Sequence, residues 1–358
     1  MKIAHVVDSM EVGGAETLVE QMCLRQRELG HAPCVFAVAA LGAIGERMRA
    51  QGFSVHAGVG RHLPEAMRGF VRLFRQLRPD VVHLHNPTPA IYAAFPARWA
   101  GAGCVISTRH SLVAPPRRIA QEIKYAVAAL ACDWVVGVCQ ATAANLRALH
   151  SIWPRKIACV YNGVAPLRRV PADRCPPRDG VTLAYVGRLE PVKNLALLLQ
   201  AFRIALATVP ELRLWMVGDG SQRKALETLA VELGIDDRVT FWGQQADVAP
   251  FFSGAGIFIM SSRSEGLPAS LLQGFSLGVP AIVTNVGGMA EAVRKAEAGL
   301  IVPPADPQPM AAAITQMASD PALRARFSAN AKSAFDRDFS MERMIEAYMQ
   351  LYRQPRRG

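Results

Sequence analysis

Residues 261–288 read SSRSEGLPASLLQGFSLGVPAIVTNVGG, and this stretch decides the fold of the 358-residue chain. A fully apolar run at 257–260 precedes it and predicts a buried strand. A turn at Gly266 and a helix that stops at Gly278 come next, and a second apolar strand follows at 281–284. Strands that alternate with helices in this way are typical of an α/β fold with a parallel sheet.

The turn between this strand and helix has the chemistry of an anion site. The first amides of a helix have no intrahelical acceptor, and the helix dipole adds positive charge at the same end. Phosphate is therefore the expected ligand at the carboxyl edge of the strand. Glu265 lies in the same turn, where a carboxylate is unfavourable for phosphate alone. We therefore expect a ligand that also carries hydroxyl groups, as a sugar does.

Length and composition indicate a soluble globular protein of two domains. A domain of about 150 residues is common, and the chain is 51% hydrophobic and 19% charged. No apolar run reaches the ~18 residues that cross a membrane, and the start of the chain lacks the features of a signal peptide. We therefore expect a cytoplasmic protein. The seven cysteines are dispersed, which favours reduced core thiols over disulfides or a zinc site.

The formal net charge of +11 calls for an acidic partner. Nucleic acid, an anionic bilayer surface or a phosphorylated substrate could each supply it. A predicted helix at 64–77 carries arginines on one face, at Arg68, Arg72, Arg75 and Arg78. An ordinary solvated face is the simpler interpretation, and a surface on anionic lipid is the alternative. The chain has no aromatic platform or nucleic-acid motif, so we predict no nucleic-acid partner.

The opening stretch resembles the family 4 (group 1) retaining glycosyltransferases of the GT-B fold. That family has the pattern S-x-x-E-G-x-P-x-x-L-x-E-x-x-x-x-G-x-P. The chain matches it at Ser262, Glu265, Gly266, Pro268, Leu271, Gly278 and Pro280. It departs from the pattern at the second carboxylate, where Gln273 stands. The resemblance implies an α/β protein with two Rossmann-like β/α/β domains that face each other across a donor cleft.

The same resemblance sets the predicted domain boundaries. The family's N-G-V boundary motif occurs at 162–164, and a stretch rich in proline and arginine follows it. We predict an N-terminal acceptor-side domain at 1–165, a linker at 166–180 and a C-terminal nucleotide-sugar-binding domain at 181–339. The C-terminal helix, at 340–358, is expected to pack back on the N-terminal domain.

Loops of the predicted C-terminal domain match the family's donor site. The family motif G-R-L-x-x-x-K-N matches without a gap, which implies that Arg188 and Lys193 converge on the donor diphosphate. The G-x-G at Gly218 is not a dinucleotide fingerprint, because Arg223 stands in place of the third glycine. The resemblance places further donor contacts at Gly187, Gly218, Gln244, Gly266, Leu267 and Gln273.

In the N-terminal domain, Gly13 and Gly14 match a loop that approaches the donor phosphates and the acceptor. His110 follows a predicted strand and matches a family segment in which a histidine lies near the donor sugar. His83 and His85 fall on one face of another strand. No third ligand is apparent in the sequence, so a structural role or acceptor contact is favoured over metal, and no metal site is predicted.

The resemblance implies a retaining hexosyltransferase that needs no metal. Arg188, Lys193 and helix-end amides would stabilise the departing diphosphate, and a donor phosphate oxygen would take the acceptor proton. Glu265 would hold the sugar hydroxyls, and Gln273 would lie where the family's second glutamate binds ribose. The predicted catalytic residues are His110, Arg188, Lys193 and Glu265. No cofactor is expected beyond the co-substrate, a UDP- or GDP-sugar.

The expected acceptor is a lipid-linked glycan or a surface-polysaccharide precursor, which would bring the protein to the inner face of the cell membrane as a peripheral enzyme. Gln273 in place of glutamate weakens one hydrogen bond by about 1 kcal/mol, or roughly five-fold in donor affinity, so activity is expected. An inactive glycosyltransferase-like binding subunit remains an alternative if Gln273 abolishes donor binding. A sugar-nucleotide epimerase of the same fold is another, and the loops of Arg188, Lys193 and Glu265 argue against it.

Overall fold

The computed structural model describes residues 1–11, 13–58, 62–112, 119–177 and 180–355. The chain forms two compact units, Met1–Val164 with Met341–Gly358, and Ala165–Ser340. The first unit contains a seven-stranded sheet and the second a six-stranded sheet. This architecture confirms the predicted pair of Rossmann-like α/β domains. The stretch predicted as a linker, 166–180, groups with the second unit.

The first sheet is parallel throughout, in the order β3-β2-β1-β4-β5-β6-β7. Its strands are β1 (Lys2–Val7), β2 (Ala32–Ala37), β3 (Ser54–Ala57), β4 (Val81–His85), β5 (Cys104–Arg109), β6 (Trp134–Gly137) and β7 (Ile157–Cys159). Strands β4, β5 and β6 are buried along their whole length, as expected for a sheet covered on both faces. The order reverses between β1 and β4, which leaves the carboxyl ends of these strands uncovered.

Among the described residues of the first unit, six α-helices precede β7. They are α1 (Gly14–Glu28), α2 (Gly42–Ala50), α3 (Leu63–Leu77), α4 (Pro87–Trp99), α5 (Ile119–Leu130) and α6 (Gln140–Ala148), and a 3₁₀ turn follows at Pro154–Lys156. Helix α4 packs between α3 and α5. The three helices share one apolar core, in which Phe70, Phe74 and Tyr125 are buried. They therefore form one layer on the same side of the sheet.

The second sheet is also parallel, in the order β10-β9-β8-β11-β12-β13. Its strands are β8 (Thr182–Val186), β9 (Arg213–Val217), β10 (Val239–Gly243), β11 (Ile257–Met260), β12 (Ala281–Thr284) and β13 (Gly299–Val302). The central strands β8, β11 and β12 are completely buried. Here the order reverses between β8 and β11.

The helices of the second unit connect these strands. They are α7 (Leu195–Leu206), α8 (Arg223–Glu232), α9 (Ala249–Gly254), α10 (Ala269–Ser276), α11 (Gly287–Ala296), α12 (Pro307–Ser319) and α13 (Pro321–Ala334). Short 3₁₀ turns occur at Ala172–Arg174 and Pro191–Lys193, and a π-helical turn at Phe335–Phe339. Within the described ranges, no helix is long and apolar enough to cross a membrane.

Two prolines of the second unit mark the ends of its loops. Pro191 begins a 3₁₀ turn that runs to Lys193 and ends at Asn194. Asn194 has a left-handed backbone (φ 52°), which asparagine tolerates and which interrupts the helical hydrogen bonding. Pro268 precedes the first helical residue of α10 as its N-cap and does not occupy the first turn.

The last helix, α14 (Met341–Arg353), packs against the first unit. Its buried tyrosines reach polar groups of the first sheet. The Tyr348 hydroxyl is 3.0 Å from Thr108 Oγ1, and the Tyr352 hydroxyl is 2.7 Å from His83 Nδ1. The end of the chain thus completes both the apolar core and the buried hydrogen bonding of the first unit.

Candidate functional site

The predicted donor residues collect at one edge of the second sheet. Because its strands are parallel, the residues that follow them lie at the same carboxyl edge. These residues are Gly187 and Arg188 after β8, Gly218 after β9, Gln244 after β10, and Glu265, Gly266 and Leu267 after β11. The reversal of strand order falls between β8 and β11, which is where open α/β sheets bind ligands.

An ion pair joins the two loops on either side of this reversal. Lys193 Nζ lies 2.5 Å from Glu265 Oε1, and their side chains are 14% and 13% exposed. Ser262 Oγ donates a second hydrogen bond to the same carboxylate oxygen, at 2.8 Å. Glu265 Oε2 has no hydrogen-bond partner among the described residues. The carboxylate is therefore held by one oxygen and can accept from a ligand with the other.

Backbone contacts fix these two loops against each other. The buried Ser261 hydroxyl donates to the carbonyls of Lys193 and Asn194, at 2.9 and 3.1 Å. Thr284 Oγ1, at the end of β12, donates to the Ser262 carbonyl at 2.6 Å. The position of the ion pair is therefore set by the sheet and not by the side chains alone.

Arg188 differs from Lys193 in forming no ion pair with a described residue. Its backbone carbonyl accepts a hydrogen bond from the Tyr185 hydroxyl at 2.7 Å, and its side chain is exposed. The guanidinium makes no hydrogen bond or ion pair with any residue in the described ranges. Glu190 interacts electrostatically with Arg188, but its carboxylate is hydrogen-bonded to Ser221, so the guanidinium remains available to an anion.

Glycines bring two of these loops into direct backbone contact. Gly218 has φ 135°, and a Cβ there would lie 2.0 Å from the Gly187 carbonyl oxygen. The amide of Gly187 donates to Val217 and that of Gly218 to Gly243, so the two turns are continuous with the sheet. A side chain at Gly218 would separate them. The exposed Gln244 follows Gly243 at the outer end of this edge.

Helix α10 begins beside Glu265. The Gly266 carbonyl accepts from the Gly288 amide at 2.7 Å, and Leu267 is buried, so this turn is anchored. The first amides of α10 have no intrahelical acceptors. Gln273 is half-buried on the same helix, and its amide group forms no hydrogen bond with a described residue. The structure thus joins Glu265 to Lys193 but does not join Gln273 to either of them.

The glycine loop predicted in the first unit is partly outside the described residues, because Val12 is not described. Gly13 is the N-cap of α1 and Gly14 its first residue. A Cβ at Gly13 would lie 2.2 Å from Glu16 Oε2, whereas Gly14 has open space around it. The Glu16 carboxylate therefore lies at the start of this helix, the position expected to attract an anion.

His110 follows β5 and is the half-buried end of a chain of hydrogen-bonded rings. Its Nε2 is 3.1 Å from His85 Nδ1, and His85 Nε2 is 3.0 Å from His5 Nδ1. His5 Nε2 in turn lies 2.9 Å from Gln26 Oε1. The His110 amide donates to Asn86 Oδ1 at 3.2 Å, which fixes its backbone. The sequence does not identify His5 or Gln26 as site residues, because the apolar residues around His5 indicate only a strand.

Burial keeps these histidines neutral. It lowers the pKa of His5 and of His110 to about 4. The pKa values of His83 and His85 lie well below 6.5, because of burial and of the neighbouring histidines. His5, His83 and His85 also offer three ligand atoms within 4.8 Å, so the third ligand not apparent in the sequence does exist. The absence of a metal site stays a prediction.

Two family models match the chain. The model described as Glycosyltransferase Family 4 matches residues 12–168, and the model described as Glycosyl transferases group 1 matches residues 173–334. Between them they cover most of both units.

Proteins similar in sequence to the chain are named as glycosyltransferases. The lipopolysaccharide core biosynthesis glycosyltransferase LpsE of Rhizobium meliloti (strain 1021) is 34% identical over 202 residues, or 56% of this chain and 58% of that protein. The UDP-Gal:alpha-D-GlcNAc-diphosphoundecaprenol alpha-1,3-galactosyltransferase of Escherichia coli is 23% identical over 80% of this chain and 79% of its own. The match to LpsE thus spans less than two thirds of that relative's length.

Solved structures share the fold over nearly the whole chain. Alr3699/HepE of Anabaena, in complex with UDP, has a TM-score of 0.83 at 18% identity, covering 98% of this chain and 99% of that one. Sucrose-phosphate synthase of Thermosynechococcus elongatus has a TM-score of 0.81 at 22% identity, covering 99% and 98%. Together with the two parallel sheets, these likenesses confirm the GT-B fold.

Lowering the pH should destabilise the first sheet, because unfolding exposes histidines that the folded chain keeps neutral. The pKa of His5 is about 4 in the folded state and 6.5 when exposed, so the unfolded state binds a proton first as the pH falls. The stabilisation is complete above about pH 6.5 and is lost through pH 4, by about 3 kcal/mol for His5. Native-state hydrogen exchange of the β1 and β4 amides measures this loss.

A pair of variants isolates the contribution of His5. In His5→Gln, the number of protons taken up on unfolding, read from the pH dependence of amide protection, should fall by up to one. His62→Gln, at an exposed position before α3, should leave it unchanged. The same pH dependence in His5→Gln as in the unaltered chain would contradict this account.

Proposed function

The chain belongs to the group 1 glycosyltransferases, and from this premise we propose that it transfers a hexose from a nucleotide-diphosphate sugar to a glycan acceptor with retention of configuration. The observation that carries the proposal is the Lys193–Glu265 ion pair at the reversal of the second sheet, beside the unpaired Arg188. This arrangement combines cations for a diphosphate with a carboxylate for sugar hydroxyls.

The cations would act on the leaving group. When the bond between the sugar C1 and the phosphate oxygen breaks, negative charge grows on the diphosphate. Lys193 and the first amides of α10 are already fixed at the sheet edge and would stabilise that charge without rearranging, and the exposed Arg188 side chain would add a second cation. Because two cations and a helix end supply this stabilisation, we propose that the reaction needs no metal ion.

Glu265 would position the sugar. Its Oε1 is engaged by Lys193 and Ser262, so Oε2 is the oxygen that would accept from a donor hydroxyl. The acceptor oxygen would attack C1 on the face that the leaving group vacates, and its proton would pass to a donor phosphate oxygen. One C–O bond forms as one breaks, and the configuration at C1 is retained.

UDP is the nucleotide that the comparisons favour. The Anabaena neighbour was solved with UDP and with UDP-glucose, and the Escherichia coli relative carries UDP-Gal in its name. A GDP-sugar is the second candidate. Gln273 would bind the ribose through a neutral acceptor, at a cost of roughly five-fold in affinity compared with glutamate.

The acceptor that we propose is a lipid-linked glycan or a surface-polysaccharide precursor. The names of LpsE and of the galactosyltransferase, which acts on a diphosphoundecaprenol-linked sugar, support this class. Such an acceptor is tethered to a bilayer. We therefore propose that the protein works in the cytoplasm as a peripheral enzyme on the inner face of the membrane.

The outer surface of the first unit suits an anionic bilayer. On α3 the buried Phe70 and Phe74 face inwards, and the exposed Arg68, Arg72 and Arg75 face outwards, with the exposed Arg78 at the C-cap. On α5, in the same layer, the outward stripe is apolar and its residues recur every three or four positions. The stripe consists of Ile119, Ile123, Val127 and Leu130, which are 68%, 60%, 50% and 59% exposed. Basic and apolar side chains on one surface favour anionic lipid.

This surface is tied to the sheet near His110. Arg109, the last residue of β5, forms a two-point ion pair with Glu122 of α5, at 2.7 and 2.9 Å. The apolar stripe therefore has a fixed position relative to the loop that carries His110.

Donor binding should depend on the two cations. Calorimetric titration with UDP, GDP, ADP and their glucose conjugates should show one preferred nucleotide, with and without a metal chelator. Arg188→Ala and Lys193→Met should each weaken it by about ten-fold or more, because each removes a charge-assisted hydrogen bond. Arg203→Ala, which removes an exposed cation on α7, is the matched control and should bind normally.

The same titration separates the alternatives. Equal binding by Arg188→Ala, Lys193→Met and the unaltered chain would contradict the proposed site. No binding of any nucleotide would favour the inactive binding subunit. Epimerisation of the bound donor without transfer would identify the epimerase.

Membrane binding should require the α5 stripe. Vesicles that contain phosphatidylglycerol should co-sediment with the protein, and vesicles of phosphatidylcholine alone should not. Ile123→Ser with Val127→Ser should weaken binding by roughly ten-fold or more, because apolar contact is lost. Val231→Ser, which is 63% exposed on α8 of the other unit, is the control. Vesicle binding by the double variant as tight as that of the unaltered chain would contradict the proposal.

A further inference from the structure

A single line of hydrogen bonds runs from the interior of the first unit to His110. It passes from Gln26 on α1 to His5 on β1, then to His85 on β4, and reaches His110 after β5. Gln26, His5 and His85 are buried, and only His110 is partly exposed. The line crosses the sheet at the reversal between β1 and β4.

The Gln26 amide oxygen, at the buried end of the line, fixes which atom donates in each of its hydrogen bonds. An amide oxygen accepts only, so His5 Nε2, 2.9 Å from Gln26 Oε1, must carry a hydrogen. A neutral imidazole has one N–H, so His5 Nδ1 is an acceptor and His85 Nε2 is the donor to it. By the same rule His85 Nδ1 accepts from His110 Nε2.

This order leaves one open position. His110 Nδ1 is without a hydrogen, and no described residue occupies it. A proton added to His5 or His85 would place two N–H groups against each other and break a hydrogen bond. Burial, which lowers the pKa of His5 and His110 to about 4, agrees with neutral rings at pH 7.

We propose that Gln26 is a positioning residue that fixes the tautomer of His110 through His5 and His85, so that His110 offers Nδ1 as a hydrogen-bond acceptor to a substrate hydroxyl. The substrate part of this inference rests on the proposed sugar transfer. The tautomer part concerns the ligand-free protein and can be tested without any substrate.

The neighbouring His83 is not one of the rings in this line, although Tyr352, which contacts it, also interacts with Gln26. The ring of His83 stacks on His85 with centroids 4.1 Å apart, but its nitrogens contact Tyr352 and Thr108. A metal ion held by His5, His83 and His85 is the competing use of the cluster. Every ring nitrogen of these three residues already has a hydrogen-bond partner, which favours the hydrogen-bonded line over the metal.

The tautomer can be read from nitrogen-15 NMR of the histidine rings. The chain has eight histidines, and loss of a signal set in His110→Gln assigns those of residue 110. At pH 7.5 His110 should show a protonated Nε2 and an unprotonated Nδ1. Gln26→Met keeps the length of the side chain and removes the acceptor, so the buried His5 Nε2–H loses its partner. The line should then reverse, and His110 should move towards the Nδ1–H tautomer.

Two matched variants control for general damage to the core. Gln26→Glu keeps an acceptor and should keep the Nε2–H tautomer. His83→Gln alters an equally buried ring that touches His85 but lies outside the line, and it should also leave the His110 tautomer unchanged. An unchanged tautomer in Gln26→Met, a mixed tautomer in the unaltered chain, or metal-bound ring signals that a chelator removes would each overturn the inference.

Activity then tests the substrate part. Gln26→Met should lower kcat/KM for sugar transfer by roughly ten-fold, with UDP affinity unchanged, because UDP lacks the hexose whose hydroxyl His110 would bind. Gln26→Glu should retain most of the kcat/KM of the unaltered chain, because it keeps an acceptor for His5 Nε2–H. A tautomer shift with unaltered kcat/KM would overturn the contact between His110 and substrate. A tautomer shift in a chain that transfers no sugar would support the positioning role while the proposed function failed.

Discussion

The reversal of strand order between β8 and β11 is the constraint on which the candidate site depends. Crossovers in a parallel sheet are right-handed, so the connections on the two sides of a reversal leave towards opposite faces and uncover the strand ends between them. Lys193 enters this gap from one side and Glu265 from the other. The corresponding reversal in the first sheet, between β1 and β4, brings His5 and His85 together in the same way.

Charge balance explains how the ligand-free protein can hold two cations at the carboxyl edge of the second sheet. A largely buried lysine is costly unless it is paired and hydrogen-bonded. Glu265 neutralises Lys193, and Ser262 satisfies the same carboxylate oxygen. Arg188 needs no partner because it remains in water. The ligand-free edge can therefore hold a modest positive charge without strain, and a diphosphate would add the second anion that both cations attract.

Much of the fold can be predicted from local patterns of apolar and turn residues. The site, in contrast, depends on contacts between residues that are far apart in the chain. Buried strands such as β11 and β12 are runs of apolar residues with turn residues at their ends, so their bounds could be predicted. The four-residue β13 was missed because it begins with Gly299, a weak strand signal. Lys193 and Glu265 came from a family resemblance, and their contact spans 72 positions. His5 could not be connected to His85 from the sequence, because hydrophobic periodicity does not reveal which strands are neighbours.

The most direct test of the account is a crystal structure of the chain with UDP. We expect diphosphate oxygens within hydrogen-bonding distance of Lys193 Nζ and the Arg188 guanidinium, with Glu265 still in contact with Ser262. UDP bound at another edge of the second sheet, with Lys193 contacting only Glu265 and Arg188 contacting nothing, would contradict it.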